Sequence, residues 1–186
     1  MSDTGVPVNE VMTAIATPSF EQAELRQAFA CFPSGVTAVC GMLGDNPQGI
    51  AASSFTSVSL EPPLVSVCVA HSSATWPKLA ERRTLGISVL AQDHTEVAKS
   101  LSRKIGDRFT GVSWEAAESG AVFVHGSTLW LECSVHTQLP AGDHDIVLLR
   151  ILAIQSYPDV APMVFHGSQY RQLAPSEVAE LAGPRT

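Results

Sequence analysis

The stretch Gly49-Ile50-Ala51-Ala52-Ser53-Ser54-Phe55-Thr56-Ser57-Val58-Ser59-Leu60-Glu61-Pro62-Pro63 constrains this chain more than any other part of it. Small residues open it like a strand, and a dense cluster of hydroxyls follows. Pro62-Pro63 then ends it before the apolar run Leu64-Val65-Ser66-Val67-Cys68-Val69. A strand of small side chains lets a flat ligand approach the backbone closely, so that main-chain N–H and C=O groups can read its edge. Ser and Thr hydroxyls add adjustable donors and acceptors suited to a polyol or a phosphate. The continuous apolar run is the pattern of a strand buried on both faces.

The flanking patterns are mostly of the same kind. Residues 1–18 are small, polar and aperiodic, which predicts a flexible arm ahead of one domain over 19–174. Residues 175–186 are expected to form a C-terminal helix and tail, the helix beginning near Ser176. Ser19 and Gln22 have capping-box spacing and predict a helix with the apolar stripe Leu25, Ala28, Phe29 and Phe32, stopped by Pro33-Ser34-Gly35. Val36 to Leu43 reads as a strand and Gly44 to Gly49 as a polar turn. Ser72-Ser73 can cap a short helix bearing Trp76, Leu79 and Ala80, with Pro77 tolerated near its first turn. Leu85 to Leu90 is a further strand, and Asp93 with Glu96 repeats the capping-box spacing before Val97 and Leu101.

A loop with Arg103, Lys104, Asp107 and Arg108 leads to Phe109, and Trp114 to Val124 is irregular or weakly stranded. Leu129, Leu131, Cys133 and Val135 alternate with Trp130, Glu132, Ser134 and His136, the period of a half-buried strand. Asp145 to Ser156 and Met163 to His166 read as strands as well. Many strands at short spacing, with few helices, predict a mainly β fold: a barrel with peripheral helices. Strict β–α alternation and a Gly-x-Gly-x-x-Gly turn are both missing, which disfavours a Rossmann domain.

At 186 residues the chain suits one domain with a sizeable core. Only 16% of residues are charged and 45% are apolar, a balance that leaves surface to bury in an oligomer. No apolar run approaches the ~20 residues that span a bilayer. A basic segment followed by an apolar one is missing at the N-terminus, so a cytoplasmic protein is expected, with no membrane partner. The net charge of -7 argues against nucleic acid, which is bound through basic stripes. Cys31, Cys40, Cys68 and Cys133 form no Cys-x-x-Cys pair and sit in apolar patterns, as buried reduced thiols do. The histidines show no ligand spacing, so no metal is expected.

Several short elements then stand in a fixed order. They are Phe32-Pro33-Ser34-Gly35-Val36-Thr37, Ala52-Ser53-Ser54-Phe55, Ser72-Ser73-Ala74-Thr75-Trp76-Pro77, Asp107-Arg108-Phe109 and Gly142-Asp143-His144, with Tyr170 following a turn Gly. Through them the chain, from about Leu25 to Leu173, resembles the flavin reductase-like family, the reductase partners of two-component flavin monooxygenases. Ser34 stands where the family's first element has Thr, and Leu149 where the family often has Gly. Any one tripeptide is weak evidence; their order carries the resemblance.

The resemblance implies an FMN-binding split β-barrel with a few peripheral helices, homodimeric, with flavin at the dimer interface. It implies that FMN or FAD lies along Gly49, Ile50, Ala51, Ser53 and Ser54 and the strand end Cys68, Val69 and Ala70, with Ser34 among the contacts. Ala74 and Thr75 would meet the phosphate at a helix start, with Arg103 and Arg108 as charged contacts. His144 would face the nicotinamide of NADH or NADPH, beside Asp143 and Tyr170; outside that pattern, a His after a Gly-Asp turn commonly bonds its own loop. The implied activity is NAD(P)H:flavin oxidoreduction, with reduced flavin diffusing to a partner monooxygenase. Hydride passes between the two cofactors, and the protein supplies stacking, orientation and electrostatics. The rival reading is a non-catalytic flavin carrier or redox sensor on the same fold. Another split-barrel flavoenzyme, of the pyridoxamine phosphate oxidase-like kind, fits Gly142-Asp143-His144 less well.

Overall fold

The computed structural model describes residues 21–174. The expected N-terminal arm, the Ser19 cap and the C-terminal helix lie outside them. In chain order the elements are α1 (Gln22–Phe29), β1 (Ser34–Gly35), β2 (Thr37–Leu43), β3 (Asn46–Ala52), β4 (Thr56–Leu60), β5 (Pro63–Ala70), α2 (Trp76–Ala80) and β6 (Leu85–Val89). They continue with α3 (Thr95–Leu101), β7 (Trp114–Ala116), β8 (Val122–Val124), β9 (Leu129–Ala141), β10 (His144–Ser156), β11 (Val164–His166) and β12 (Gln169–Arg171). The fold is mainly β, as the spacing of the strand patterns predicts. No helix among the described residues is long and apolar enough to cross a membrane.

One 7-stranded antiparallel sheet runs in the order β3-β2-β6-β9-β10-β5-β4. It curls until the end of β3 faces β5. There Ser54 Oγ accepts from the Cys68 N–H at 2.8 Å and donates to the Cys68 carbonyl at 3.1 Å. No ladder joins β3 to β5 among the described residues, so the sheet keeps an open seam between them.

Two cores flank the sheet. Val39, Val67, Leu85, Ile87, Leu131 and Leu149 fill the inside of the curl, closed at one end by Trp76 and Leu79 of α2. Leu149 is fully buried there, so the residue standing where the family often has Gly packs the core. Ala38, Cys40, Leu90, Leu101, Phe109 and Val122 form the second core, under α3 and the β7–β8 hairpin.

It is thus β2 and β6, not β5, that are buried on both faces. In β5 only Val65, Val67 and Val69 are buried while Cys68 is exposed, because the strand's other face looks outward. Cys31 is exposed too, so only Cys40 and Cys133 are the buried thiols expected, and burial pushes both up to about 12.

Other boundaries also shift for identifiable reasons. The turn expected over Gly44 to Gly49 shrinks to Gly44-Asp45, with Gly44 at φ +58, and Asn46 already pairs with Leu43. Pro47 is accepted inside β3 because β3 is a sheet edge, where one side needs no N–H donors. At α1 the Glu21 N–H donates to Glu24 Oε2 at 3.2 Å, so the helix starts on a cap three residues from Glu24. Its stripe meets no core: none of its residues is buried, and Phe29 and Phe32 are 70% and 78% exposed. At α3 the cap falls on His94 rather than Asp93. Its Nδ1 accepts from the Ala91 N–H at 3.2 Å, and Glu96 pairs with Lys99 instead. The weakly stranded stretch over Trp114 to Val124 is the β7–β8 hairpin.

Candidate active site

The seam between β3 and β5 holds a groove of about 370 Å³. Ile50, Ala51, Ser53 and Ser54 line one wall, and Cys68, Val69 and Ala70 the other. The walls stay apart because their side chains are small and because Ser54 bridges only to the backbone of Cys68. That bridge spends the Ser54 proton and one of its lone pairs, whereas Ser53 is exposed and forms no such bridge. Val69 is 4% exposed, since its side chain points into the core.

Beside the groove lies a smaller cavity of about 130 Å³, lined by Gln48, Ala74, Thr75, Lys104, Asp107 and Arg108 among others. Arg108 borders both spaces, and its Nη1 donates to the Gly49 carbonyl at 2.9 Å, which fixes the guanidinium between them. Thr75 is buried at 8% exposure, just before α2. Asp107 braces the loop: its carboxylate accepts from the Phe109 N–H at 2.8 Å and the Thr110 hydroxyl at 2.9 Å, which holds its pKa below the ordinary range. Arg103 borders neither space; Lys104, the next residue, does.

His144 stands at the rim, opposite Ala70 in the β5–β10 ladder. Its Nδ1 lies 2.7 Å from Asp143 Oδ1. An ionised carboxylate can only accept, so Nδ1 carries the hydrogen and Nε2 of the neutral ring is left as an acceptor. That bond is also the main reason the Asp143 carboxyl is held below the usual range.

Tyr170 and Ser34 do not line the groove. Tyr170 packs on Phe165 at 5.4 Å and borders a smaller cavity of about 120 Å³ that adjoins the groove through Ala51, Ser53 and Ser102. Ser34 pairs with Phe165 in the β1–β11 ladder and borders a space shared with Phe29, Phe32 and Ser53. Neither shares a cavity with His144.

Sequence reasoning passed over Ser73, Leu101 and Ser102, all of which line the groove. Ser73 was legible as a cap, and its Oγ does accept from the Trp76 N–H at 3.2 Å. Leu101 and Ser102 arrive from the end of α3, where Ser102 Oγ donates to the Ala98 carbonyl at 2.8 Å. No local pattern marks them as groove residues.

A curled antiparallel sheet with a slot at its seam, a cation-lined cavity beside it and a His–Asp pair at its rim defines a class of small-molecule-binding β proteins. A family model described as flavin reductase like domain matches residues 29–174, and the chain belongs to that family. The NADH-dependent FAD reductase of Streptomyces globisporus is 38% identical over 160 residues, 83% of this chain and 87% of that protein. A flavin reductase of Pseudomonas putida is 32% identical over 162 residues, 87% of this chain and 93% of that one. Among solved structures, Streptomyces globisporus C-1027 NADH:FAD oxidoreductase SgcE6, in complex with NAD and FAD fragments, superposes with a TM-score of 0.80. It is 36% identical and the match covers 84% of this chain and 95% of that one. BorF, the flavin reductase component of a bacterial two-component tryptophan halogenase, gives 0.77 at 34% identity, over 84% and 100% of the two chains.

Proposed function

We propose that this protein is an NAD(P)H:flavin oxidoreductase that reduces FMN or FAD and supplies the product to a partner monooxygenase. The observation that carries the reading is the seam groove itself. At about 370 Å³ it falls in the ordinary range for small-molecule sites, and its walls are small side chains with accessible backbone edges. The two cofactors, when bound, would supply the hydride donor and the hydride acceptor. The chain's part is to bind, orient and balance charge.

In this reading Ile50, Ala51, Cys68 and Ala70 form the slot for the flavin ring, and Ser53 offers a free hydroxyl to its polar side. Thr75, with Lys104 and Arg108, holds the phosphate; a hydroxyl and two cations border one small space, and the Asp107 carboxylate that also borders it is engaged by the Phe109 N–H and the Thr110 hydroxyl. His144, its tautomer set by Asp143, presents Nε2 to accept from the nicotinamide carboxamide. Ser34 and Tyr170 support the back of the slot through Phe165, in place of the flavin contact expected of Ser34 and the nicotinamide contact expected of Tyr170. The groove opens to solvent along the seam, which suits release of reduced flavin to a separate oxygenase.

The reading includes a homodimer. Val58, Leu60, Ile146, Leu152 and Ile154 are exposed on β4 and β10, which flank β5, and a second copy would cover them. The four free cysteines fit a reducing, cytoplasmic setting. NADH or NADPH is added anaerobically to the protein with FMN, FAD or riboflavin, and bleaching of the flavin is followed. Bleaching at a rate that scales with protein is expected. Flavin that binds but is not bleached by either nucleotide makes the protein a carrier or sensor instead. A monomer in sedimentation, with and without flavin, would remove the shared-interface model.

A further inference from the structure

A side chain that can only donate fixes the direction of every hydrogen bond in series with it. Trp76 is 4% exposed, and its Nε1–H donates to Gln138 Oε1 at 3.2 Å. An indole N–H never accepts, so the Gln138 amide must turn its oxygen to Trp76 and its NH₂ away. That NH₂ donates to Asp145 Oδ2 at 2.6 Å. The other carboxylate oxygen, Oδ1, lies 3.0 Å from His71 Nε2, which must therefore carry a hydrogen. Donation thus runs inward from both ends onto Asp145, whose carboxyl is held below the ordinary range chiefly by the bond from His71.

The placement of these residues gives the series its consequence. Trp76 and His71 bracket the loop of Ser73, Ala74 and Thr75, where Ser73 lines the groove and Ala74 and Thr75 line the cation-bearing cavity beside it. Gln138 and Asp145 sit on β9 and β10, and Asp145 directly follows His144. The His71 N–H also donates to the Asp143 carbonyl at 3.0 Å. Asp145 itself does not line the groove. We infer that Asp145 is a positioning residue which, with Gln138, ties the Thr75 loop to the His144 hairpin and holds the cation-lined cavity and the His144 rim in register. This rests on the reading of those two places as the phosphate and nicotinamide sites.

The directionality supplies the test. Gln138→Glu turns a carboxylate oxygen toward Asp145 Oδ2, two acceptors with no proton between them. Adding Asp145→Asn repairs the series: the new amide at position 145 donates to the new carboxylate at position 138, and its oxygen still accepts from His71. Flavin Kd by fluorescence titration and KM for NADH are measured on the full chain, parent, single and double variants. Both constants should rise about threefold to tenfold in Gln138→Glu. The rise should persist in about 0.5 M salt, where a pure charge effect is screened. Both should return to within about twofold of the parent in the double variant. Parent constants in the folded single variant, a double variant no better than the single, or a defect that vanishes in salt overturns the brace. Those outcomes need an active parent; a parent that neither binds flavin nor oxidises NADH overturns the functional reading and the brace together.

Discussion

Strands meet without a continuous ladder at β8 on β6 and at β3 on β5, and only the first of these meetings is sealed. Where β8 crosses β6, the Val124 N–H donates to Ser88 Oγ at 3.0 Å; where β3 meets β5, the Cys68 N–H donates to Ser54 Oγ at 2.8 Å. The polar stitch is the same. The difference is what lies beside it. Gly86 lets the β8 backbone rest directly on β6, so closely that a Cβ there would fall 2.1 Å from the Val122 carbonyl oxygen. At the seam, Ala51, Ser53 and Ala70 have enough bulk to hold the strands apart and too little to fill the gap. Residue size decides between a wall and a groove.

The comparison breaks most forcefully at Gly86. Its neighbour is backbone, which cannot rotate away, so Gly86→Ala must displace β8. A loss of about 3 kcal/mol or more is expected, at the upper end for overpacking. At the groove, Ser53→Ala should change stability by no more than about 0.5 kcal/mol, as at other exposed sites. Denaturant melts of the two variants beside the parent check both sides at once. Equal losses would mean that the seam is as tightly packed as the crossing.

Function should respond in the opposite place. His144→Ala is expected to leave flavin affinity near the parent value while kcat/KM for NADH falls by about 1–3 kcal/mol, or roughly 5- to 150-fold. Stopped-flow reduction beside a melting curve separates a kinetic role from a brace of the Gly142-Asp143 turn. A stable variant with the parent rate and KM would remove His144 from the nicotinamide site. Thr75→Val is the milder change. It should weaken flavin binding by about 1–2 kcal/mol, the worth of one hydrogen bond to a charged acceptor. Unchanged affinity in a folded variant would take Thr75 out of the phosphate site.

How far the sequence showed this in advance depends on the range of the interaction. Strands set by their own residues were legible: Val36 to Leu43, Leu85 to Leu90 and the alternating run from Leu129 correspond to β2, β6 and β9. The Gly49 to Ser54 wall of the groove was legible too, because small residues and hydroxyls are a local signal; the Cys68 to Ala70 wall was reached only through the family resemblance. What a strand meets was not. The run in β5 looks the same in sequence whether its second face is covered by protein or left open, and the α1 stripe carries no mark of having no core to join. Arg103 and Lys104 are indistinguishable as letters; only the loop's path brings the second to the cavity. The series from Trp76 to His71 joins residues 62, 7 and 74 positions apart, beyond any spacing rule.

The smallest expected effect concerns a histidine on the sealed side. His94 lies under Gly126, just past β8, and burial lowers its pKa while Asp93, 4.0 Å away, works weakly the other way. Its Nδ1 must stay unprotonated to accept from the Ala91 N–H. A base with a lowered folded-state pKa binds protons more readily when unfolded, so acid favours unfolding. The contribution is complete above the unfolded value of about 6.5 and is lost as pH falls from there to the folded pKa. Asp107, Asp143 and Asp145, all held low in the fold, act in a separate window: their stabilisation is present above about 3.9 and lost below it. Melting temperatures between about pH 7 and pH 5 therefore isolate the histidines. His94→Asn keeps an acceptor for Ala91 but cannot titrate, so the parent should lose stability relative to this variant as pH falls. The change should be small beside that of Gly86→Ala. A gap between parent and variant that stays constant, or moves the other way, would mean that His94 is as well solvated in the fold as in the unfolded chain, and that the β8 side is less sealed than its geometry indicates.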